Sequence, residues 1–268
     1  MAAHASLTAV MAAQRRELRL YVVSAVVFTG AAAITWYSCS MMGGGMAMPG
    51  GWTMSMAWMP MGSYLRSAMM FAGMWAAMMV AMMLPSTLPM LLLYQRAARF
   101  RGEARVGTLS AVMAGGYFCV WTAFGMLAYA AGLGIALLAM KSDGFSRVVP
   151  VASGATLIAA GAYQLSSWKA ACLKRCQDPL SMVAAYVPGG WRGALGLGIY
   201  HGAFCAACCW ALMLIQLALG IMNGLVMIAV ALVIALEKLW PRGLVAARVT
   251  GALAIAGGFV LAGRALAI

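Results

Sequence analysis

The run His201-Gly-Ala-Phe-Cys205-Ala-Ala-Cys208-Cys209-Trp210 sets one imidazole and three thiols close together in an apolar stretch. On a helix, His201, Cys205 and Cys208 follow i, i+4, i+7 and share a face, with Cys209 at its edge. An imidazole with two or three thiols is a soft donor set that suits Cu(I) or Zn(II). Single cysteines are commonly small buried apolar residues. Three of them, one turn after a histidine, point instead to metal or thiol-redox chemistry.

Methionine is the second signal. Of 25 methionines, 15 lie between Met41 and Met83. A thioether is a soft ligand for Cu(I). Met70, Met74, Met78 and Met82 recur every four residues, a stripe that drifts about 40° per step around a helix. Met69, Met79 and Met83 widen it. Pro85 and Pro89 then remove helix hydrogen bonds and are expected to interrupt the helix. The candidate ligands on this segment are Met74, Met78, Met82 and Met83.

The preceding loop carries Met41-Met42-Gly-Gly-Gly-Met46-Ala-Met48, Met54-Ser-Met56 and Met59-Pro-Met61. Its glycines suggest a flexible loop able to wrap an ion. It holds no carboxylate, which argues against hard cations. Soft-metal capture and a plain linker are both open readings. A fourth constellation, Cys172-Leu-Lys-Arg-Cys176, would put two thiols on one helical face. It reads as a metal or redox pair, or as a basic topology-setting loop.

These groups must be held by membrane helices. The chain of 268 residues is 65% hydrophobic and 9% charged, with a mean hydropathy of +0.93. Soluble domains carry about 25% charged residues. Long apolar runs in a bilayer mean helices, because each helix satisfies its own backbone. The expected fold is an all-α polytopic bundle of about seven transmembrane helices. Their approximate bounds are Tyr21–Tyr37, Tyr64–Leu84, Leu109–Met140 (broken by Gly115 and Gly116), Val148–Leu165, Ala194–Leu217, Met222–Leu236 and Ala247–Leu266. Residues 1–268 read as one integral membrane domain, with a Met/Gly-rich loop at 39–63 and a Cys-containing loop at 166–192.

Charge orients this bundle. With the N-terminus cytoplasmic, the inner loops take all but Arg66, Lys141, Arg147 and Arg264 of the 18 Lys and Arg residues, a strong positive-inside bias. The net charge of +13 does not signal nucleic acid, because the charges sit in short clusters between apolar runs. Arg15, Arg16 and Arg19 precede a full-length apolar segment, which reads as a signal anchor. Seven cysteines, an odd number, do not form a secreted disulfide framework. Glu237-Lys238 is expected as a solvated ion pair at the inner interface, and Tyr163-Gln164 ends helix four beside the cysteine loop. Gly251, Gly257 and Gly258 are expected to be packing residues. Five acidic residues leave little material for a proton relay. There is no phosphate loop, no serine–histidine–acid set and no haem-attachment motif.

The chain resembles a bacterial family of metal-binding integral membrane proteins, the copper-chaperone-like membrane proteins. The matching pieces run in order over about residues 64–245. They are Trp75 through Ala81-Met-Met-Leu-Pro-Ser86; Tyr163-Gln-Leu with Lys169-Ala-Ala-Cys172-Leu-Lys-Arg-Cys176 and Pro179-Leu180; and Trp191-Arg192. His201 through Met213, Gly220-Ile-Met-Asn223 and Glu237-Lys238 complete them. The family pattern has a glycine where Ala207 stands. The resemblance implies a protein of the bacterial cytoplasmic membrane tied to copper, supplying a copper-dependent membrane or periplasmic enzyme. It adds weight to His201, Cys205, Cys208, Cys209, Cys172 and Cys176. Three functions follow in order of expectation: a non-enzymatic Cu(I) carrier, with zinc as the other metal; an accessory subunit of a larger membrane complex or oligomer; and a membrane thiol–disulfide oxidoreductase.

Overall fold

The computed structural model describes residues 2–60, 62–185 and 189–267, with side chains from residue 14 onward, residue 185 excepted. The apolar runs form helices, as expected: α1 Ala2–Met42, α2 Tyr64–Phe100, α3 Val106–Lys141, α4 Asp143–Leu165, α5 Ser167–Cys176, α6 Pro179–Ala185, α7 Gly190–Leu219, α8 Gly224–Leu239 and α9 Gly243–Leu266. Six are long and apolar enough to cross a membrane: residues 14–42 of α1, and α2, α3, α4, α7 and α9. The remaining expected span corresponds to α8, whose 16 residues make a rod of about 24 Å. Polar side chains start several helices. Ser63, Ser142 and Ser166 accept from the backbone N–H of Arg66, Phe145 and Lys169, and Asn223 accepts from Leu225 and Val226. Each satisfies donors a helix start leaves open.

Two expectations about helix breaks are corrected. α2 does not stop near Leu84; it runs 37 residues, through Pro85 and Pro89. Each proline costs one intrahelical bond, but Leu84, Thr87, Met90, Leu91 and Tyr94 around them are buried. Packing of that face carries the helix across, since tertiary burial supplies most helix stability. Between the prolines, the Ser86 and Thr87 hydroxyls both donate to the Met83 carbonyl, at 2.9 and 2.8 Å. Likewise α3 is continuous through Gly115 and Gly116. A Cβ on Gly116 would meet the Leu195 carbonyl oxygen at 2.7 Å, so this glycine admits α7 rather than bending α3.

α4 and α9 pack along one another through facing glycines. A Cβ on Gly161 would lie 2.5 Å from the Gly251 carbonyl oxygen, and one on Gly258 2.6 Å from that of Gly154. The packing role expected for Gly251 and Gly258 holds, whereas Gly257 faces open space. A backbone oxygen cannot rotate aside as a side chain can. Gly161→Leu is therefore expected to cost at least the roughly 1–3 kcal/mol of an overpacked core. Thermal unfolding in detergent, followed by size exclusion, checks this, with Gly257→Leu as the tolerated control.

The Met-rich loop is folded, not a loose wrap. β1 (Gly45–Met48) and β2 (Trp52–Ser55) form an antiparallel hairpin, followed by a 3-10 turn at Met56–Trp58. Gly50 and Gly51 turn it at φ 97° and 73°, values that favour glycine. The Trp52 indole donates to the Ser146 carbonyl at 3.0 Å, and the Ser146 hydroxyl donates to that of Pro49 at 2.8 Å. Met48 and Met54 are buried against Ala136 and Ala139 of α3. Two of the expected capture residues are thus packing residues. Met61 lies outside the described residues.

Candidate metal centre

The approach of α3 to α7 builds the first half of the site. Gly198 and Gly202, one turn apart, sit under the carbonyls of Met113 and Tyr117. A Cβ would lie 2.1 Å from the Met113 oxygen at Gly198, which excludes a side chain, and 3.0 Å from the Tyr117 oxygen at Gly202, a tight fit. The close approach brings the buried Tyr117 to Cys205, with its hydroxyl 2.9 Å from Sγ. The same ring stacks on the His201 imidazole at 5.2 Å between centroids. From the end of α8, the Lys238 ammonium reaches Cys205 Sγ at 2.7 Å.

The thiols are neighbours. Cys205 and Cys209, Cys209 and Cys208, and Cys208 and Cys176 at the end of α5 lie near enough to influence one another electrostatically. Cys205, Cys208 and Cys209 are all 0% exposed. This sulfur row passes from the interior of α7 to α5, joining two motifs that lie apart in the sequence.

A buried polar girdle clamps the row. Lys169 Nζ donates to the Cys208 carbonyl at 2.7 Å and to Glu237 Oε2 at 2.5 Å. Gln164 donates to the other Glu237 oxygen at 2.7 Å. The Tyr163 hydroxyl donates to the Ala207 carbonyl at 2.5 Å. The solvated Glu237-Lys238 pair expected at an interface is therefore corrected: Glu237 and Lys169 are fully buried, and Lys238 nearly so. Glu237 pairs across the fold with Lys169, while Lys238 turns to sulfur. The two charges leave α8 about 100° apart, so one meets α4 and α5 and the other meets α7.

Sequence reasoning missed Tyr117, Lys169, Glu237 and Lys238 as parts of the site. A signal existed. Apart from Tyr117, these residues lie in the segments that carry the family resemblance, and a charge at a helix end costs nothing only if it stays in water. Ala207 is exposed, so its methyl group in place of a glycine is accommodated. Its contribution is a carbonyl, which any residue supplies.

The expected ligands divide. Cys176, Cys205, Cys208 and Cys209 are brought together. Cys172 lies half-buried, within electrostatic range of Tyr163. His201 points its Nδ1 at the Met182 sulfur, 3.4 Å away, and its buried Nε2 has no hydrogen-bond partner among the described residues. Among those residues, no three His, Cys, Asp or Glu side chains are gathered to hold one ion. A zinc site takes three or four protein ligands; Cu(I) is satisfied by as few as two soft ones. Met74, Met78, Met82 and Met83 are buried in the same packed core as the three α7 cysteines. Met69 and Met70 are 60% and 50% exposed, so the stripe turns inward only from Met74. The drift per step accounts for that rotation.

Residues 72–261 match the profile of a family described as PpoB2, copper chaperone. No curated protein and no solved structure matches the chain. The matched span covers most of the chain and contains the whole thiol row with Lys169, Glu237 and Lys238; the protein belongs to this copper-chaperone family.

Proposed function

We propose that the protein is an integral membrane Cu(I) carrier that holds its cargo on the buried thiols and hands it to a copper-dependent membrane or periplasmic enzyme. In this reading the N-terminus is cytoplasmic, α8 completes seven spans, and the chain is one domain of the bacterial cytoplasmic membrane. The supporting observation is the succession of neighbouring thiols, Cys205, Cys209, Cys208 and Cys176, three of them fully buried. Cu(I) moves between soft ligands by associative exchange, in which a new sulfur binds before an old one leaves. A row of adjacent thiols lets the ion step without ever being bare.

Charge supports the same reading. Cu(I) between two thiolates carries one net negative charge. A buried charge is tolerated only with a partner, and Lys238 stands at Cys205 with no paired carboxylate among the described residues. Lys238 would neutralise the loaded dithiolate. Cys205 and Cys209 are one helical turn apart and form the holding pair. Cys208 and Cys176 form the passing pair, where α7 meets α5. His201, one turn before Cys205, carries Met182 at its Nδ1, and Met74, Met78, Met82 and Met83 offer weaker exchange sites in the adjoining core. Cys172 stands one turn from Cys176 on α5 and is the next thiol along that helix.

Anaerobic competition with a chromophoric Cu(I) chelator, on the full chain in detergent, tests the proposal. Tight binding with sulfur-only scattering in X-ray absorption is expected. Affinity should fall as pH falls, because protons compete with the metal for sulfur. Absence of tight binding overturns the carrier reading and leaves an accessory subunit of a membrane complex. Ready formation of a disulfide with a measurable two-electron potential, without metal binding, would favour the oxidoreductase.

A further inference from the structure

A second cluster of sulfur lies away from the thiols. The end of α1, the 3-10 turn and the start of α2 enclose a cavity of about 240 Å³. Five methionines line it: Met42 of α1, Met56 and Met59 of the turn segment, and Met70 and Met74 of α2. They come from three successive segments between Met42 and Met74. Among the described residues its lining has no His, Cys, Asp or Glu, and no Lys or Arg.

Methionine used as filler closes gaps, because its three rotatable bonds let it settle into irregular space. Here five of the most adaptable apolar side chains line a half-open cleft between three segments without closing over it. The rim is open on one side: Met56 and Met70 are 39% and 50% exposed, whereas Met74 is 8% exposed. Phe71 and Met74 both line the cavity and belong to the core that contains Cys205, Cys208 and Cys209.

We infer that this cavity is a thioether site that acquires a soft monovalent cation, Cu(I) or Ag(I), before it reaches the thiols. Neutral sulfur donors with no carboxylate neither attract nor neutralise divalent hard ions. Thioethers bind without losing a proton, so this site stays competent where protons block thiols. Its affinity is weak, since no anion compensates the ion's charge, and weak binding is what lets an ion leave for the thiolates. The route to the thiols rests on the carrier reading above; the site itself does not.

Ag(I) is the probe, titrated calorimetrically into the full chain in detergent at neutral and acid pH. Wild-type protein is expected to show a tight class that weakens with acid and a weak class that does not. Met56→Leu/Met59→Leu/Met70→Leu keeps side-chain volume, a change cores tolerate well, and should lower the stoichiometry of the weak, pH-insensitive class alone, the methionines deeper in α2 being retained. An unchanged stoichiometry of that class in the folded variant overturns the inference. A tight class alone in wild-type protein overturns it too, while leaving the carrier reading intact. No binding of either class removes both. Should the triple variant fold poorly, Met56→Leu alone at the exposed rim is expected to slow Cu(I) loading of the thiols from a chelate, and an unchanged loading rate counts against the site.

Discussion

A variant with Cys205 and Cys209 both changed to serine is expected to lose tight Cu(I) binding outright while remaining folded. Serine nearly matches cysteine in shape and still offers a hydroxyl to Tyr117 and Lys238, so the polar contacts at Cys205 keep a partner. Soft ligation is what disappears. Cys176→Ser/Cys208→Ser should keep tight binding and slow transfer to an acceptor chelator, because the holding pair is intact. Lys238→Met tests the charge argument on the same assay. Stripping the counter-cation from a buried anion costs about 3–5 kcal/mol, so Cu(I) affinity should drop by roughly 100-fold or more at unchanged ligand count, and Lys238→Arg should recover part of it. Undiminished binding by the Cys205/Cys209 variant, with wild-type circular dichroism and elution, would remove α7 as the holding site and move attention to the methionines.

How much of this was readable in advance differs by level. The helices were legible because a bilayer-length apolar run has one economical backbone solution. Their breaks were not. Proline, or a pair of glycines, has a local cost that a sequence displays and a compensating burial that it hides, as α2 and α3 both demonstrate. The burial of Cys205, Cys208 and Cys209 on α7 was legible from their apolar setting, and the soft-metal reading of the segment stays part of the proposal. The segment's partners were not legible, because Cys176 meets Cys208 through α5 folding back on α7. Periodicity grouped His201, Cys205 and Cys208 as one face, yet at i, i+4, i+7 that face spans some 60°. Tyr117 stacks against its histidine end, and Cys209 rather than His201 is the neighbour with electrostatic influence on Cys205.

Lys169 and Lys238 show the limit most sharply. Counted with the other basic residues, they strengthen the positive-inside bias and look like any interfacial lysine. The structure buries both beside sulfur. A long lysine stem can reach water from well inside a bilayer, so position along the helix does not reveal which way the ammonium turns. What separates these two from Arg96, which pairs with Glu17 at the surface, is a buried acceptor supplied by another helix. The chain pairs its scarce carboxylates selectively. One of five acidic residues is fully buried, and it lies at this site.

The Lys169–Glu237 pair therefore predicts the largest stability effects in the chain. Glu237→Ala leaves the ammonium buried with only the Cys208 carbonyl for company, and Lys169→Met leaves the carboxylate with only Gln164. Breaking a buried pair from one side costs about 3–5 kcal/mol, a large share of the 5–15 kcal/mol that holds a typical domain together. Both single variants should unfold at markedly lower temperature in detergent. Lys169→Met/Glu237→Leu removes both charges and should regain most of that loss, since an apolar replacement of a whole buried pair is often neutral. The double variant also separates stability from function. Lys169 ties α5 to the backbone of α7 at Cys208, and Glu237 ties both to α8. With the tie gone, Cys205 and Cys209 should still hold Cu(I), while transfer through Cys208 to Cys176 slows because α5 is no longer registered against α7. Single variants with wild-type melting would show that the pair is not a structural clamp. A double variant that melts normally and also transfers at the wild-type rate would show that the girdle serves only the fold.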